Sequence, residues 1–193
     1  MEGIMTFEDI KHEIEKDIKY EIEKARRILY PKLLKYFNDK NWEGFCNLVV
    51  LNPRLIPYGF LFYDEMPEQY KRDFVIDCYE SHGDSYPSCR AALRKLPKNG
   101  KNELPEEYRN KEYITVYRAG EEPIEKSKYR ISWTLDREIA ESFLNGRGIN
   151  ANYLYSGKIK PCDVIAYNDN RSEQEVMQYK KVFDVQLIKR KGA

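Results

Sequence analysis

Apolar residues recur every three to four positions in the first half of the chain, the spacing of one helix face. Between Phe7 and Leu29 these positions are Ile10, Ile14, Ile18, Ile22, Ala25 and Leu29, set among many Glu and Lys. The spacing predicts an amphipathic helix that packs either on its own domain or against another chain. Thr6, followed by Asp9, fits an N-cap, and Pro31 marks a break or a fresh start.

Three further segments of the first half have helical patterns bounded by Pro and Gly, at residues 41–51, 67–83 and 87–100. The segment from Leu55 to Tyr63 is dense in aromatic residues and is predicted to be a short strand or a buried turn. The stretch 96–112 is polar and interrupted by Pro and Gly. It is predicted to connect two halves of the chain.

After residue 112 the period of the pattern changes to two, which is typical of strands. The predicted strands are rich in β-branched and aromatic residues and lie at 113–118, 129–133, 153–159, 163–167, 175–179 and 183–189. One helix is predicted between the second and third strands, with Asp136 as its N-cap and Gly146 as its stop. This order predicts an α+β fold, with a helical region at 1–103 and a mostly antiparallel β domain at 104–193.

Charge and hydropathy limit the classes of partner. The 33 basic and 32 acidic residues leave a formal net charge of +1, so no global field favours nucleic acid or acidic membranes. A local basic patch is still compatible with that balance. No apolar run approaches the roughly 20 residues of a membrane-spanning helix, and the start of the chain lacks the apolar core of a signal peptide. We therefore expect an intracellular, cytoplasmic protein.

The cysteines and histidines offer little for a metal site. The four cysteines form no C-x-x-C pair; they are Cys46, Cys78, Cys89 and Cys162. We expect them to be reduced thiols. His12 and His82 are the only histidines, and neither lies near a cysteine cluster or an acidic pair in the sequence. Neither a zinc site nor a histidine-based catalytic triad is expected.

Two predicted strands end in residues suited to a site. Arg118 ends an apolar strand and is followed by Ala119 and Gly120, where the backbone can turn and a ligand can come close. Ser132 and Thr134 end the next strand within the segment SWT, directly before the predicted helix. Residues of this type also cap helices, and that alternative stays open for both of them.

A pair of carboxylates forms the third element. Glu173 and Glu175 open a later strand in the segment RSEQEVM. Side chains at i and i+2 of a strand point to one face, so the two acids crowd each other unless a site needs both. Plain alternatives exist here too, since the acids could be a solvated strand face and Arg118 could pair with Glu121 or Glu122.

In this order, the three elements resemble the R-S-E signature of the mono-ADP-ribosyltransferases, which include bacterial toxins, phage-encoded modifying enzymes and vertebrate arginine-specific enzymes. The resemblance covers about residues 113–189 and extends to the segments VYRAG, ISWTLDREIAESF and VIAYNDNRSEQEV, which look like the phage and bacterial branch. It implies an ADP-ribosyltransferase-like β domain that uses NAD as a substrate. The helical half lies outside the resemblance, and we expect it to shield the NAD cleft or to recognise the target.

The resemblance implies a catalytic role for three residues. Such enzymes break the bond between nicotinamide and ribose through a transition state with positive charge on the ribose ring. Glu175 would stabilise that charge from a position near the 2′-hydroxyl, and Ser132 would hold Glu175 or the ribose in place. An acid two residues earlier, here Glu173, goes with transfer to a guanidinium. The implied acceptor is therefore an arginine of a target protein.

A wider set is implied to bind NAD. Arg118 would present its planar fork of donors to the pyrophosphate. The remaining residues implied to contact NAD are Ala119, Gly120, Ser132, Thr134, Phe143 and Arg147. Phe143, Tyr153 and Tyr155 are candidates for an aromatic wall beside the nicotinamide. No metal, no membrane and no nucleic acid is expected as a partner.

Two other functions remain open. The same fold could bind or inhibit a partner without turnover. The amphipathic first helix favours this alternative, as does Trp133, which stands in SWT where many family members carry a small residue. The fold could also modify a nucleotide or a nucleic acid.

Overall fold

The computed structural model describes residues 23, 25–146, 150–169 and 172–192. Most of the amphipathic helix predicted over Phe7–Leu29 lies outside the described residues, and its last positions, Ala25–Leu29, form a π-helical turn. The chain divides into two compact units, Met1–Leu93 and Arg94–Ala193. Each unit has its own elements and is described separately.

The described part of the first unit is helical. Its helices are α1 (Tyr30–Asn38), α2 (Trp42–Val50), α3 (Ile56–Leu61), α4 (Glu68–His82) and α5 (Pro87–Lys95), whose last residues cross into the second unit. Single 3-10 turns occur at Pro53–Leu55, Tyr63–Glu65 and Gly83–Ser85. Asn41 caps α2, because its side chain accepts a hydrogen bond from the Gly44 amide at 2.9 Å.

The prediction of a strand or buried turn between Leu55 and Tyr63 is wrong, because this segment contains α3. Pro57 stands in the first turn of α3, where its missing N–H costs no hydrogen bond. Leu55 and Ile56 are fully buried. A Cβ at Gly59 would lie 2.8 Å from the Val49 side chain, so this glycine lets α3 pack closely against α2.

The second unit contains a six-stranded sheet. Its strands are β1 (Ile114–Gly120), β2 (Ser132–Thr134), β3 (Tyr153–Ile159), β4 (Ala166–Asn168), β5 (Glu175–Met177) and β6 (Phe183–Arg190). They lie in the order β4-β5-β2-β1-β3-β6, and every neighbouring pair is antiparallel. Helices α6 (Glu106–Arg109), α7 (Ile124–Ser127) and α8 (Arg137–Leu144) belong to this unit, with 3-10 turns at Gly100–Asn102 and Pro161–Asp163.

The predicted α+β class is confirmed, since helices and an antiparallel sheet occupy successive parts of the chain. Strand β3 has its predicted bounds. Strand β2 is shorter than predicted, because helix α7 and the turn that follows it occupy part of the β1–β2 connection. Helix α8 begins after Asp136, as predicted, since the Asp136 carboxylate accepts hydrogen bonds from the next turn's amides.

The division between the units falls earlier in the chain than the sequence placed it. Residues 94–103, which the sequence predicts to be part of the helical region, belong to the second unit. The Gly100 amide donates to the Val164 carbonyl at 3.2 Å, and a Cβ at Gly100 would lie 2.6 Å from the Ala166 backbone nitrogen. Leu104 is fully buried in the core of the sheet. The part of the predicted connector around Gly100 and Leu104 therefore packs against the sheet, with Gly100 beside β4.

The sheet packs through two separate cores. The larger core contains Val116, Trp133, Tyr155 and Val176 together with other buried apolar residues. The smaller core lies under α8 and consists of Ala119, Ala140, Leu144, Ala151 and Leu154. Burial of these side chains supplies the main stabilising term for the sheet and fixes α8 beside β1.

Candidate active site

The residues of the predicted signature lie on three neighbouring strands. Strand β2 lies between β5 and β1, and Thr134 pairs with Glu175 on β5 and with Tyr117 on β1. The Tyr117–Thr134 pair is the only register pair recorded between β1 and β2 in the described part of the chain. Arg118 follows this pair immediately, so it lies where the two strands diverge.

Ser132 connects the other two signature residues. Its Oγ donates a hydrogen bond to Oε1 of Glu175. Its backbone carbonyl accepts a hydrogen bond from Nη1 of Arg118 at 2.6 Å. Hydrogen bonds with an ionised partner are stronger than neutral ones. Ser132 therefore holds the carboxylate through its side chain and the guanidinium through its backbone.

Glu173 reaches the same site by a route that the sequence did not predict. Strand β5 begins at Glu175, so the prediction that Glu173 and Glu175 share one strand face by alternation is wrong. The intervening Gln174 has a φ of 44°, in the left-handed region. The Gln174 amide donates to Oδ1 of Asp169 at 3.1 Å. This turn brings Glu173 to the cleft that Glu175 also lines.

Thr134 joins the Glu173 loop to the start of α8. Its hydroxyl donates to the Glu173 carbonyl at 2.6 Å and accepts from the Asp136 amide at 3.0 Å. The N-cap of α8 is Asp136, whose Oδ1 accepts from the amides of Glu138 and Ile139 at 2.7 and 3.3 Å. Thr134 thus positions the loop that carries Glu173, while the helix-capping role falls to Asp136.

These residues line a cleft with a volume of about 200 Å³. The complete lining is Tyr117, Arg118, Ala119, Ser132, Trp133, Thr134, Ala140, Phe143, Glu173 and Glu175. Phe143 and Ala140 come from α8, and the carboxylates come from the β5 side. The cleft therefore combines an aromatic wall, one guanidinium and two carboxylates.

Tyr117 is a lining residue that the sequence analysis missed. Alternation along a strand places Tyr117 and Arg118 on opposite faces, which argues against a shared site. Both line the cleft because β1 and β2 diverge after the Tyr117–Thr134 pair. The available signal was its position directly before Arg118 in VYRAG.

Several predicted contacts lie elsewhere in the described part of the chain. Gly120 pairs with Tyr153 at the end of β1 and is not among the lining residues. Tyr155 is 2% exposed, and its hydroxyl donates to the Glu122 carbonyl at 2.9 Å. Burial raises the pKa of Tyr155 above its usual value. Tyr153 stacks on Tyr155, with ring centroids 5.9 Å apart, and neither ring is among the residues that line the cleft. Arg147 lies outside the described residues.

Trp133 has a structural role that accounts for its size. The side chain is 2% exposed and packs in the larger core with Val116, Tyr155 and Val176. Its indole Nε1 donates to the Arg130 carbonyl at 2.9 Å, which satisfies its one buried donor. This packing anchors the strand that carries Ser132 and Thr134.

Glu122 is engaged with Arg130, whose Nε donates to Oε2 of Glu122 at 2.9 Å. This ion pair lies within the β1–β2 connection. Arg118 instead has a hydrogen bond to the Ser132 carbonyl. The alternative in which Arg118 is only a strand-end partner of Glu122 therefore has less support than its place in the cleft.

Within the described residues, no group of three His, Cys, Asp or Glu side chains is arranged to hold a metal ion. In the same part of the chain, no helix has both the length and the apolar character needed to cross a membrane. Neither a family model, nor a curated protein, nor a solved structure matches the chain.

Proposed function

We propose that this protein is an NAD-dependent mono-ADP-ribosyltransferase that transfers ADP-ribose to an arginine of a target protein. One observation carries the proposal. Ser132 holds the Glu175 carboxylate with its hydroxyl and the Arg118 guanidinium with its carbonyl, at the edge of one cleft. The β domain would then have an ADP-ribosyltransferase-like fold.

The size of the cleft suits one end of the dinucleotide. Pockets that enclose drug-sized ligands have volumes of about 300–1,000 Å³. A cleft of about 200 Å³ would enclose the nicotinamide and its ribose and leave the rest of NAD outside. Phe143 and Tyr117 would flank the planar ring. A guanidinium has five donors, so Arg118 can hydrogen-bond the pyrophosphate while it remains bonded to Ser132.

The two carboxylates would have separate roles, Glu175 at the NAD donor and Glu173 at the arginine acceptor. Cleavage of the nicotinamide–ribose bond leaves nicotinamide with the bonding electron pair and develops positive charge on the ribose. Glu175, fixed by Ser132, stabilises that charge more strongly than it stabilises ground-state NAD. Glu173 orients the incoming guanidine and accepts the proton that it loses when the new C–N bond forms. Thr134 positions Glu173 through its backbone.

Transfer from labelled NAD tests this proposal. We expect label to move to protein in a cell lysate and to a small guanidine compound, and we expect nicotinamide to be released. Glu175→Gln should lower both rates by roughly 10²- to 10³-fold, the usual effect of removing a main electrostatic stabiliser. Glu173→Gln should reduce transfer to the guanidine more than it reduces cleavage of NAD by water.

Glu138→Gln is the matched control, because this carboxylate is exposed on the first turn of α8. It should behave as the wild type does. If Glu175→Gln transfers label as fast as Glu138→Gln, the proposed chemistry is refuted. Calorimetric binding of NAD without cleavage would instead indicate a binding protein. Mass spectrometry that locates ADP-ribose on nucleic acid would refute the arginine acceptor.

A further inference from the structure

The sheet has an open surface, the Tyr113 face, which consists of Tyr113, Thr115, Lys158, Lys160 and Phe183. Thr115 pairs with Lys158 across β1 and β3, and Lys158 pairs with Phe183 across β3 and β6. Directly paired residues share a face, so these three form one row across the sheet. Tyr113 precedes β1 and Lys160 follows β3, and together they extend the row.

The Tyr113 face combines exposed rings with ammonium groups. Tyr113 is 37% exposed and Phe183 is 41% exposed, and their ring centroids lie 6.0 Å apart in an edge-to-face arrangement. The Lys160 ammonium lies 5.5 Å from the centre of the Tyr113 ring. Lys158 forms an ion pair with Asp184 at 3.0 Å. Aromatic rings and lysines are therefore interleaved over three neighbouring strands.

A groove with a volume of about 370 Å³ lies at the β6 edge of the sheet and shares Phe183 with the Tyr113 face. Lys128 and Lys181 line it, together with Glu125 and Asp184. The face and the groove together carry four lysines and two acids, an excess of two positive charges, whereas the whole chain has a net charge of +1. This part of the surface therefore has a positive local charge, which cannot be read from the near-zero net charge of the whole chain.

Helix α8 leaves this part of the sheet uncovered. It packs on β1 at the Ala119 end, where Ala119, Ala140 and Leu144 form the smaller core. Thr115, four residues earlier on the same strand, is exposed. The strand rise of about 3.3 Å per residue places Thr115 roughly 13 Å from Ala119. Among the described residues of the second unit, a ligand on the Tyr113 face therefore meets exposed side chains and no covering helix.

We propose that the Tyr113 face and its groove bind single-stranded nucleic acid. Proteins that bind single strands without sequence preference combine stacking aromatic side chains with a positively charged track for the phosphates. Tyr113 and Phe183 offer the rings, and Lys128, Lys158, Lys160 and Lys181 offer the charges. An acidic peptide would use the lysines but would leave the two exposed rings without a stacking partner. This proposal is independent of NAD cleavage.

Fluorescence anisotropy with labelled oligonucleotides of about a dozen nucleotides tests the proposal, since such sites span about 4–16 nucleotides. Oligo-dT and oligo-U should bind with Kd values of about 1–100 µM at physiological salt, the affinity range of non-specific contacts. A duplex of equal length should bind more weakly, because its bases are not available for stacking. Polyglutamate of equal length should compete poorly.

Substitutions separate stacking from charge. Phe183→Ala or Tyr113→Ala should weaken binding roughly 5- to 100-fold, the usual effect of removing one stacking ring. The logarithm of the binding constant falls linearly with the logarithm of the salt concentration, and Lys160→Gln should reduce the steepness of this slope by about 0.7, the contribution of one phosphate contact on a single strand. Lys101→Gln is its control, since Lys101 lies in the 3-10 turn beside β4, at the opposite edge of the sheet from β6. It should leave the slope unchanged.

Four results would overturn the proposal. The first is no change in anisotropy at protein concentrations up to about 100 µM, and the second is tighter binding of the duplex than of the single strand. The third is competition by polyglutamate as strong as that by an unlabelled single strand. The fourth is wild-type affinity in folded Tyr113→Ala and folded Phe183→Ala. Thermal melting of each variant establishes that it is folded. Because Tyr113 precedes β1 while Phe183 lies on β6, Tyr113→Ala still tests stacking if Phe183→Ala does not fold.

Discussion

Removal of the Thr134 hydroxyl is the most informative perturbation of the cleft. Thr134→Val keeps the shape of the side chain but loses the hydrogen bonds to the Glu173 carbonyl and from the Asp136 amide. The residue is 7% exposed, so water does not readily replace these partners. Each hydrogen bond contributes a net 0.5–1.5 kcal/mol to stability, so the second unit should lose about 1–3 kcal/mol.

The measurement must report the second unit alone, because one free energy of unfolding is not well defined for a chain with two units. The chain has two tryptophans, Trp42 in the first unit and Trp133 in the second. In a Trp42→Phe background, urea unfolding followed by tryptophan fluorescence reports the environment of Trp133. Thr134→Val is then compared with Thr134 in the same background.

Two controls make the result decisive. Thr134→Ser keeps the hydroxyl and should lose less free energy of unfolding than Thr134→Val. Thr115→Val makes the same chemical change at an exposed position on β1 and should stay within about 0.5 kcal/mol of the parent. If Thr134→Val also stays within that range, or if Thr134→Ser is as unstable as Thr134→Val, the positioning role of the hydroxyl is refuted. Under the proposed function, Thr134→Val should also raise KM for the guanidine acceptor.

Other parts of the structure give three further predictions. Trp133→Ala should destabilise the second unit by about 3–5 kcal/mol in urea unfolding followed by hydrogen exchange of that unit's amides, and wild-type stability would contradict its core position. In a thiol titration of the folded protein, the exposed Cys162 should react first. Cys46 should react slowly up to about pH 9, because burial and two nearby aspartates raise the pKa of its thiol to about 12. Fast labelling of Cys46 would refute this. Gly100→Ala should cost about 1–3 kcal/mol in the same unfolding assay, because its Cβ would meet backbone of β4, whereas Gly120→Ala, with its nearest atom at 3.8 Å, should cost less. Equal losses at the two glycines would contradict the packing of the connector.

In the second unit, the elements predicted well were those that depend on contacts within a few residues of the chain. Asp136 caps α8 because its carboxylate reaches the amides two and three residues ahead, a contact that depends on local chain geometry. Strand β3 alternates partly over its length and has the predicted bounds. The prediction for Leu55–Tyr63 is wrong because a short run rich in aromatic and apolar residues suits a short helix as well as a strand, and periodicity cannot separate the two over so few residues.

The candidate site depended on contacts between distant parts of the chain. Ser132 and Glu175 are 43 residues apart, and only the β2–β5 pairing brings them together. The sequence placed both residues at strand ends, and their order supported a shared role. It did not predict the left-handed turn at Gln174, which carries Glu173 to the cleft without strand alternation. It also did not predict that Tyr117 lines the cleft or that Tyr155 is buried in the larger core.

The sequence by itself determined the α+β class, the start of α8 and the residues that could form an R-S-E site, because periodicity, capping and residue chemistry are local properties. Tertiary structure decided which of those residues meet. Strand order placed Ser132 between Arg118 and Glu175, and the divergence of β1 from β2 opened the cleft between them. Strand register also gathered the lysines and rings of the Tyr113 face, which a net charge near zero does not indicate. Register and strand order arise from the burial of many side chains at once, and no short segment of the chain encodes them.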